Sequence, residues 1–144
     1  MIKFSRREDY AVILVNTLAR EYKKRLVPLS EIAKEYNISL LFLRNLAGEL
    51  RNAGVIKAVE GKFGGYFLVK APEKIKMGEI LGIFSESLLL VCCPSGRKDS
   101  HQRICPQRNH CVAGNTWRQL NKEFIDKVYS LTLNEFLQTK LILD

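Results

Sequence analysis

The chain has 144 residues, room for one medium domain or a small domain with an appended helix, and at 47% hydrophobic it can build a real core, so an unstructured chain is not expected. Its formal charge is +8, with 15 Lys and Arg against 8 Asp and Glu in residues 1–76, but only 8 against 7 in residues 77–144. A basic N-terminal half favours a polyanion partner, and a merely soluble basic surface is the plainer reading of the same numbers.

Glu8 and Asp9 interrupt the approach to the first apolar run, and no small-residue cleavage site follows it, so no signal peptide is expected. No apolar run approaches the ~18 residues of a membrane span. These features predict a cytoplasmic protein with no membrane partner.

The first helix is predicted over roughly residues 8–24, with Tyr10, Ala11, Leu14, Val15 and Leu18 on one apolar face. Pro28 bars its continuation. Ser30 is expected to cap a short helix, EIAKEY, and Asn37 to form the tight turn after it. Ser39 caps the next helix, which ends at Gly54 and buries Leu43, Leu46, Ala47 and Leu50. Two helices about a tight turn make a helix-turn-helix, against the alternative of an ordinary helical hairpin.

Two β-rich runs follow, Val55–Val59 and Tyr66–Val69, around a loop holding Gly61, Gly64 and Gly65. That is a hairpin signal, and a helix-turn-helix followed by a hairpin is a winged helix. Residues 77–85 predict a further helix with Ile80, Leu81 and Phe84 inward, and SLLLV after it predicts a buried run. From about Asn115 the chain reads as a long helix. Trp117, Leu120, Phe124, Val128 and Leu131 form a near-heptad seam suited to a second subunit, or to folding back on the same domain. The fold class is therefore mainly α with a small β-hairpin wing, a winged helix-turn-helix plus a long C-terminal dimerisation helix.

The outward side of the second helix of the motif carries Leu41, Arg44, Asn45, Gly48, Arg51 and Asn52. Arg bonds guanine edges or phosphates and Asn pairs with adenine, so this face suits the major groove of double-stranded DNA. Lys62 at the wing tip suits phosphate or the minor groove. Gly48 costs roughly 1 kcal/mol in a helix interior, which points to a close approach by DNA or by a neighbouring helix, or to neutral drift.

All four cysteines lie within VCCPSGRKDSHQRICPQRNHC, residues 91–111. Thiols in a reduced cytosol read as metal or cluster ligands or as redox groups rather than as structural disulfides. Zinc sites favour close Cys-x-x-Cys pairs, and this segment has none. Arg97, Lys98, Arg103 and Arg108 surround the cysteines, and such positive charge favours thiolate. No nucleophile with base, phosphate loop or paired catalytic carboxylates is present, so no enzyme is predicted.

The stretch EDYAVILVNTLA, then PLSEIAKEYNISLLFLRNLAGELRNAGVIKAVEGKFGGYFLVKAPEKIKMGEILGIF, down to the closing SLTLNEFL, resembles the Rrf-type winged-helix transcription regulators. IscR-, NsrR-, RirA- and CymR-like proteins are members. The resemblance implies a homodimeric bacterial regulator, acting as a repressor on a partly palindromic DNA operator. It implies DNA contacts from Ser39, Leu41, Arg44, Asn45, Arg51, Lys62, Gly64, Gly65 and Tyr66. The family wing usually begins with arginine where this chain has Glu60, and IscR-like members often carry an acidic residue where this chain has Arg44.

The segment is similar to the three-cysteine loop of cluster-binding members. That implies an iron–sulfur cluster, 2Fe-2S or 4Fe-4S, on Cys93, Cys105 and Cys111, sensing nitric oxide, iron or redox state. Cys92 is then a spare thiol or alternative ligand. The histidine that IscR-type proteins place three residues after the last cysteine is Gly114 here. The resemblance to NsrR-like proteins implies Asp9 of a second copy as fourth ligand, ahead of Glu8, His110 or Cys92; His101 is a further loop histidine. The plainer reading of Asp9 is a helix-start charge. The resulting division is residues 1–86 as DNA-binding domain, 87–114 as cluster-binding loop, and 115–144 as dimerisation helix and tail. The alternative is a cluster-free, CymR-like regulator acting through thiol oxidation or a partner protein.

Overall fold

The computed structural model describes residues 5–84 and 111–138. The SLLLV run, Cys92, Cys93, Cys105, His101, His110 and the end of the C-terminal tail lie outside the described residues.

Helix α1, Arg6–Arg20, starts two residues before the predicted point because Ser5 and Glu8 form a capping box. The Ser5 backbone N–H donates to Glu8 Oε2 at 2.5 Å, and the Glu8 N–H donates to Ser5 Oγ at 3.4 Å. It ends at Arg20, four residues short of the expected Lys24. The turn after it passes through Lys23 at φ 59, a left-handed conformation that a helix cannot contain. Arg25 then forks onto Glu31 at 2.5 and 2.9 Å and reaches Glu21 at 3.0 Å, tying this turn to the next helix. Glu31 is held below the usual carboxylate range mainly by the Arg25 hydrogen bonds.

Helix α2, Leu29–Tyr36, corrects the Ser30 cap. Pro28, extended at φ −70 and ψ 140, is the N-cap, and Ser30 lies exposed in the first turn. Proline fixes a compatible φ, so the helix starts one residue before the hydroxyl that was expected to begin it. Asn37 adopts φ 53 as predicted, and the Ile38 N–H returns to the Ala33 carbonyl at 3.0 Å.

Helix α3, Leu40–Asn52, is capped by Ser39, whose Oγ accepts the Phe42 N–H at 3.5 Å. It closes in a Schellman motif. Gly54 at φ 76 bonds back to Arg51 O and the Val55 N–H to Leu50 O, both at 3.0 Å. The predicted stripe of Leu43, Leu46, Ala47 and Leu50 is fully buried against Ala11, Leu14, Val15 and Leu18 of α1 and Ile32 of α2.

Strands β1, Ile56–Val59, and β2, Gly65–Leu68, pair antiparallel with Ile56 opposite Leu68 and Val59 opposite Gly65. Val27 joins the hairpin through two bonds to Tyr66, at 2.9 and 3.1 Å. A single turn at Pro72–Lys74 leads to α4, Met77–Phe84, with Ile80, Leu81 and Phe84 buried as predicted.

Helix α5, Val112–Ser130, starts three residues before the predicted Asn115, because Cys111 is its N-cap. A short helix α6, Leu133–Gln138, follows. The α5–α6 junction is stitched to the strand-like segment before α4: Met77 N–H to Leu131 O and Leu133 N–H to Ile75 O, both at 2.8 Å. Leu133 is fully buried. A β-carbon at Gly78 would sit 2.7 Å from Tyr129 Cδ1, so α4 and α5 pack at glycine distance. The predicted seam therefore divides. Val128 and Leu131 are half-buried on the chain's own domain, while Trp117, Leu120 and Phe124 are exposed.

Candidate DNA-reading face and cysteine site

The Schellman cap and the Asn37 turn fix α3 with its outer face free. Leu41 is 68% exposed, and Arg44, Asn45, Arg51 and Asn52 are exposed beside it. Ser39 marks the N-terminal end of this face. A β-carbon on Gly48 would meet nothing within 4 Å, so no neighbouring helix in the described chain requires that glycine. Arg6, Tyr10, Asn37, Ile38, Ser39, Leu41, Phe42 and Asn45 line a cleft of about 380 Å³, which brings the start of α1 to the start of α3.

The wing residues divide by role. Lys62 is exposed at the tip. Gly64 and Gly65 answer backbone demands: added β-carbons would lie 2.1 Å from Val59 O and 2.9 Å from the Val27 backbone. Tyr66 is half-buried and carries the two backbone bonds to Val27.

Two basic residues were missed from the sequence. Arg7 donates to both carboxylate oxygens of Glu49 on α3, at 2.6 and 2.7 Å, and its guanidinium carbon lies 5.8 Å from the Phe84 ring centroid. One side chain thus touches the outer helix and the last residue of α4. Arg6 lines the cleft described above. A cue was present, because paired cations oppose the positive end of a helix and call for another reason to be there.

At the start of the C-terminal described segment, Cys111 is half-buried, and its Sγ accepts the Gly114 N–H at 3.2 Å. The N-terminus of a 19-residue helix therefore faces this sulfur. A donated N–H and a helix N-terminus suit a ligand sulfur bearing negative charge, and hydrogen bonds to sulfur are a means of tuning clusters, so Cys111 fits an iron–sulfur ligand. Among the described residues no group of three or more His, Cys, Asp or Glu is arranged to hold a metal, since the other cysteines lie outside them.

Asp9 is exposed on the first turn of α1, and Glu8 is buried in its capping box. Both border an apolar cleft of about 600 Å³ lined also by Val12, Met77, Phe124, Val128 and Phe136. The candidate acidic ligand thus lies beside the C-terminal helices, while Glu8 already serves the helix start.

A family model described as Rrf2, iron-dependent transcriptional regulator, matches residues 4–139. The HTH-type transcriptional regulator IscR of Pectobacterium carotovorum is 31% identical over 94% of this chain and 79% of its own length. IscR of T. potens superposes with a TM-score of 0.70 at 27% identity, covering 95% of this chain and 87% of that one. The oxidised form of Staphylococcus aureus CymR gives a TM-score of 0.71 at 28% identity over 96% and 98% of the two chains. No helix among the described residues is long and apolar enough to cross a membrane.

Proposed function

Because the chain belongs to the Rrf2 family of winged-helix, DNA-binding transcriptional regulators, we propose that it is a cytoplasmic homodimeric repressor whose operator affinity is set by an iron–sulfur cluster. Cys93, Cys105 and Cys111 would hold the cluster, with Asp9 from a second copy as fourth ligand. The carrying observation is the Cys111 sulfur at the head of α5 under the Gly114 N–H.

When bound, a cluster would supply an iron centre open to reaction with nitric oxide or oxygen and to loss of iron. The chain's own residues supply the rest. Leu41, Arg44, Asn45 and Arg51 face outward on α3 for base and phosphate contacts, and Lys62 extends from the wing. The dimer reading is supported by the exposed Trp117, Leu120 and Phe124 on α5, the last of which also lines the apolar cleft that Asp9 borders. A ligand taken from the other copy would link cluster state to dimer geometry. Arg7 offers a physical connection between α3 and the end of α4, where the chain enters the cysteine segment. Coupling of this kind is typically ~1–3 kcal/mol, a several-fold to hundred-fold change in affinity.

Cys105→Ala tests the proposal. The variant is expected to bind no cluster and to hold one operator affinity with and without anaerobic reconstitution, measured by fluorescence anisotropy. Retention of the wild-type change in affinity would reject the cluster reading and favour a cluster-free regulator responding through thiol oxidation or a partner protein.

A further inference from the structure

The ring of Phe63 at the tip of the wing is 87% exposed, the highest value among the exposed large hydrophobic side chains of the described residues. It contributes nothing to the core, yet it is mounted on a rigid turn. Gly61 at φ 116 and the Gly64 N–H to Gly61 O bond at 3.0 Å close that turn, and Gly64 has no room for a side chain. The turn is anchored in turn by β1–β2 pairing and by the two Val27–Tyr66 bonds. Lys62 Nζ lies 5.7 Å from the ring centroid, within cation–π range, which places a positive charge against the aromatic face.

Glu60 and Lys62 carry opposite charges at this tip, so its electrostatic hold on DNA is limited to the one phosphate contact that Lys62 can make. What the tip does offer is one rigid, water-exposed aromatic ring with a cation beside it. Apolar side chains of this kind wedge against sugars and base steps in the minor groove.

We propose that Phe63 is a DNA-contacting residue that enters the minor groove beside the bases faced by α3, with Lys62 at the adjoining phosphate. The inference rests on the chain being a DNA-binding regulator and adds a shape-reading, non-hydrogen-bonding contact to it.

The test uses a labelled duplex of about 30 base pairs, long enough for two half-sites, enriched from a random pool by the full-length wild-type protein. Phe63→Ala is expected to bind this duplex roughly tenfold more weakly, with an unchanged salt dependence and a lost minor-groove footprint at the flanks of the site. Phe63→Leu, which keeps an apolar wedge, should recover most of the affinity. Lys62→Ala should instead reduce the salt dependence by about one phosphate. Thermal melting of Phe63→Ala at the wild-type temperature checks that the fold is intact. If the wild type enriches a duplex and Phe63→Ala matches it in affinity and footprint, the wing proposal is overturned while DNA binding stands. If the wild type enriches no duplex, both are overturned.

Discussion

Gly64→Ala is expected to lose about 3 kcal/mol of stability and to melt roughly 10 °C below the wild type, because an added β-carbon would overlap backbone that cannot step aside. That carbon would lie 2.1 Å from the Val59 carbonyl oxygen and 3.0 Å from the Glu60 carbonyl carbon. Backbone at the end of a paired strand moves only if the pairing opens. Opening the turn would break the Gly64–Gly61 bond, release the Val59–Gly65 pair and strain the Tyr66 bonds to Val27. Operator binding should fall with the wing. Gly61→Ala gives the contrast, since its φ of 116 is strained for alanine but the space around it is open. It should cost only about 1–2 kcal/mol. Thermal melts of both variants decide the matter, and a Gly64→Ala protein within ~0.5 kcal/mol of the wild type would show that the turn yields.

The second large effect is expected at Cys111, where two roles fall on one atom. As N-cap, its sulfur accepts the Gly114 N–H; as a proposed ligand, the same sulfur binds iron. Serine separates the two roles, because its hydroxyl is a strong helix cap while its oxygen is a poor replacement for thiolate at a cluster. Cys111→Ser should therefore melt, as apo protein, within about 0.5 kcal/mol of wild-type apo protein, yet bind no iron after anaerobic reconstitution and hold one operator affinity. Cys111→Ala should show the same functional loss and also lose about 1 kcal/mol from the uncapped helix. A serine variant with full iron content and a wild-type response would restrict Cys111 to capping α5.

The winged-helix order was legible because each step had its own local signal. The period of α3, the Asn37 turn, Gly54 after the helix and the glycine-bearing hairpin all agree with one fold, and the structure has them in that order. The helix ends were less legible. Ser-x-x-Glu at residues 5–8 is a start signal that was present but outweighed by the apolar run behind it. Pro28 displaced Ser30 as the start of α2, and a cysteine cap at α5 lies outside the usual Ser, Thr, Asp and Asn set.

The candidate site was legible as a set of residue types and less so as a division of labour. The outward set on α3 followed from the buried stripe opposite it. The strict packing roles of Gly64 and Gly65 depend on Val59 and Val27, the latter far away in sequence, and no local pattern carries that contact. The same holds for Arg7, which meets Glu49 across 42 positions of sequence. The seam on α5 was read as one face, but its end packs on α4, where Gly78 meets Tyr129 and the Met77 N–H reaches Leu131 O, leaving Trp117, Leu120 and Phe124 outside.

The most direct test of cluster sensing is the visible spectrum of the full-length protein purified without oxygen, with iron and acid-labile sulfide counted on the same sample. Cluster sensing predicts a coloured protein holding iron and sulfide in equal amounts, bleached by air or nitric oxide. A protein that is colourless as purified and stays colourless after anaerobic reconstitution with iron and sulfide would contradict it.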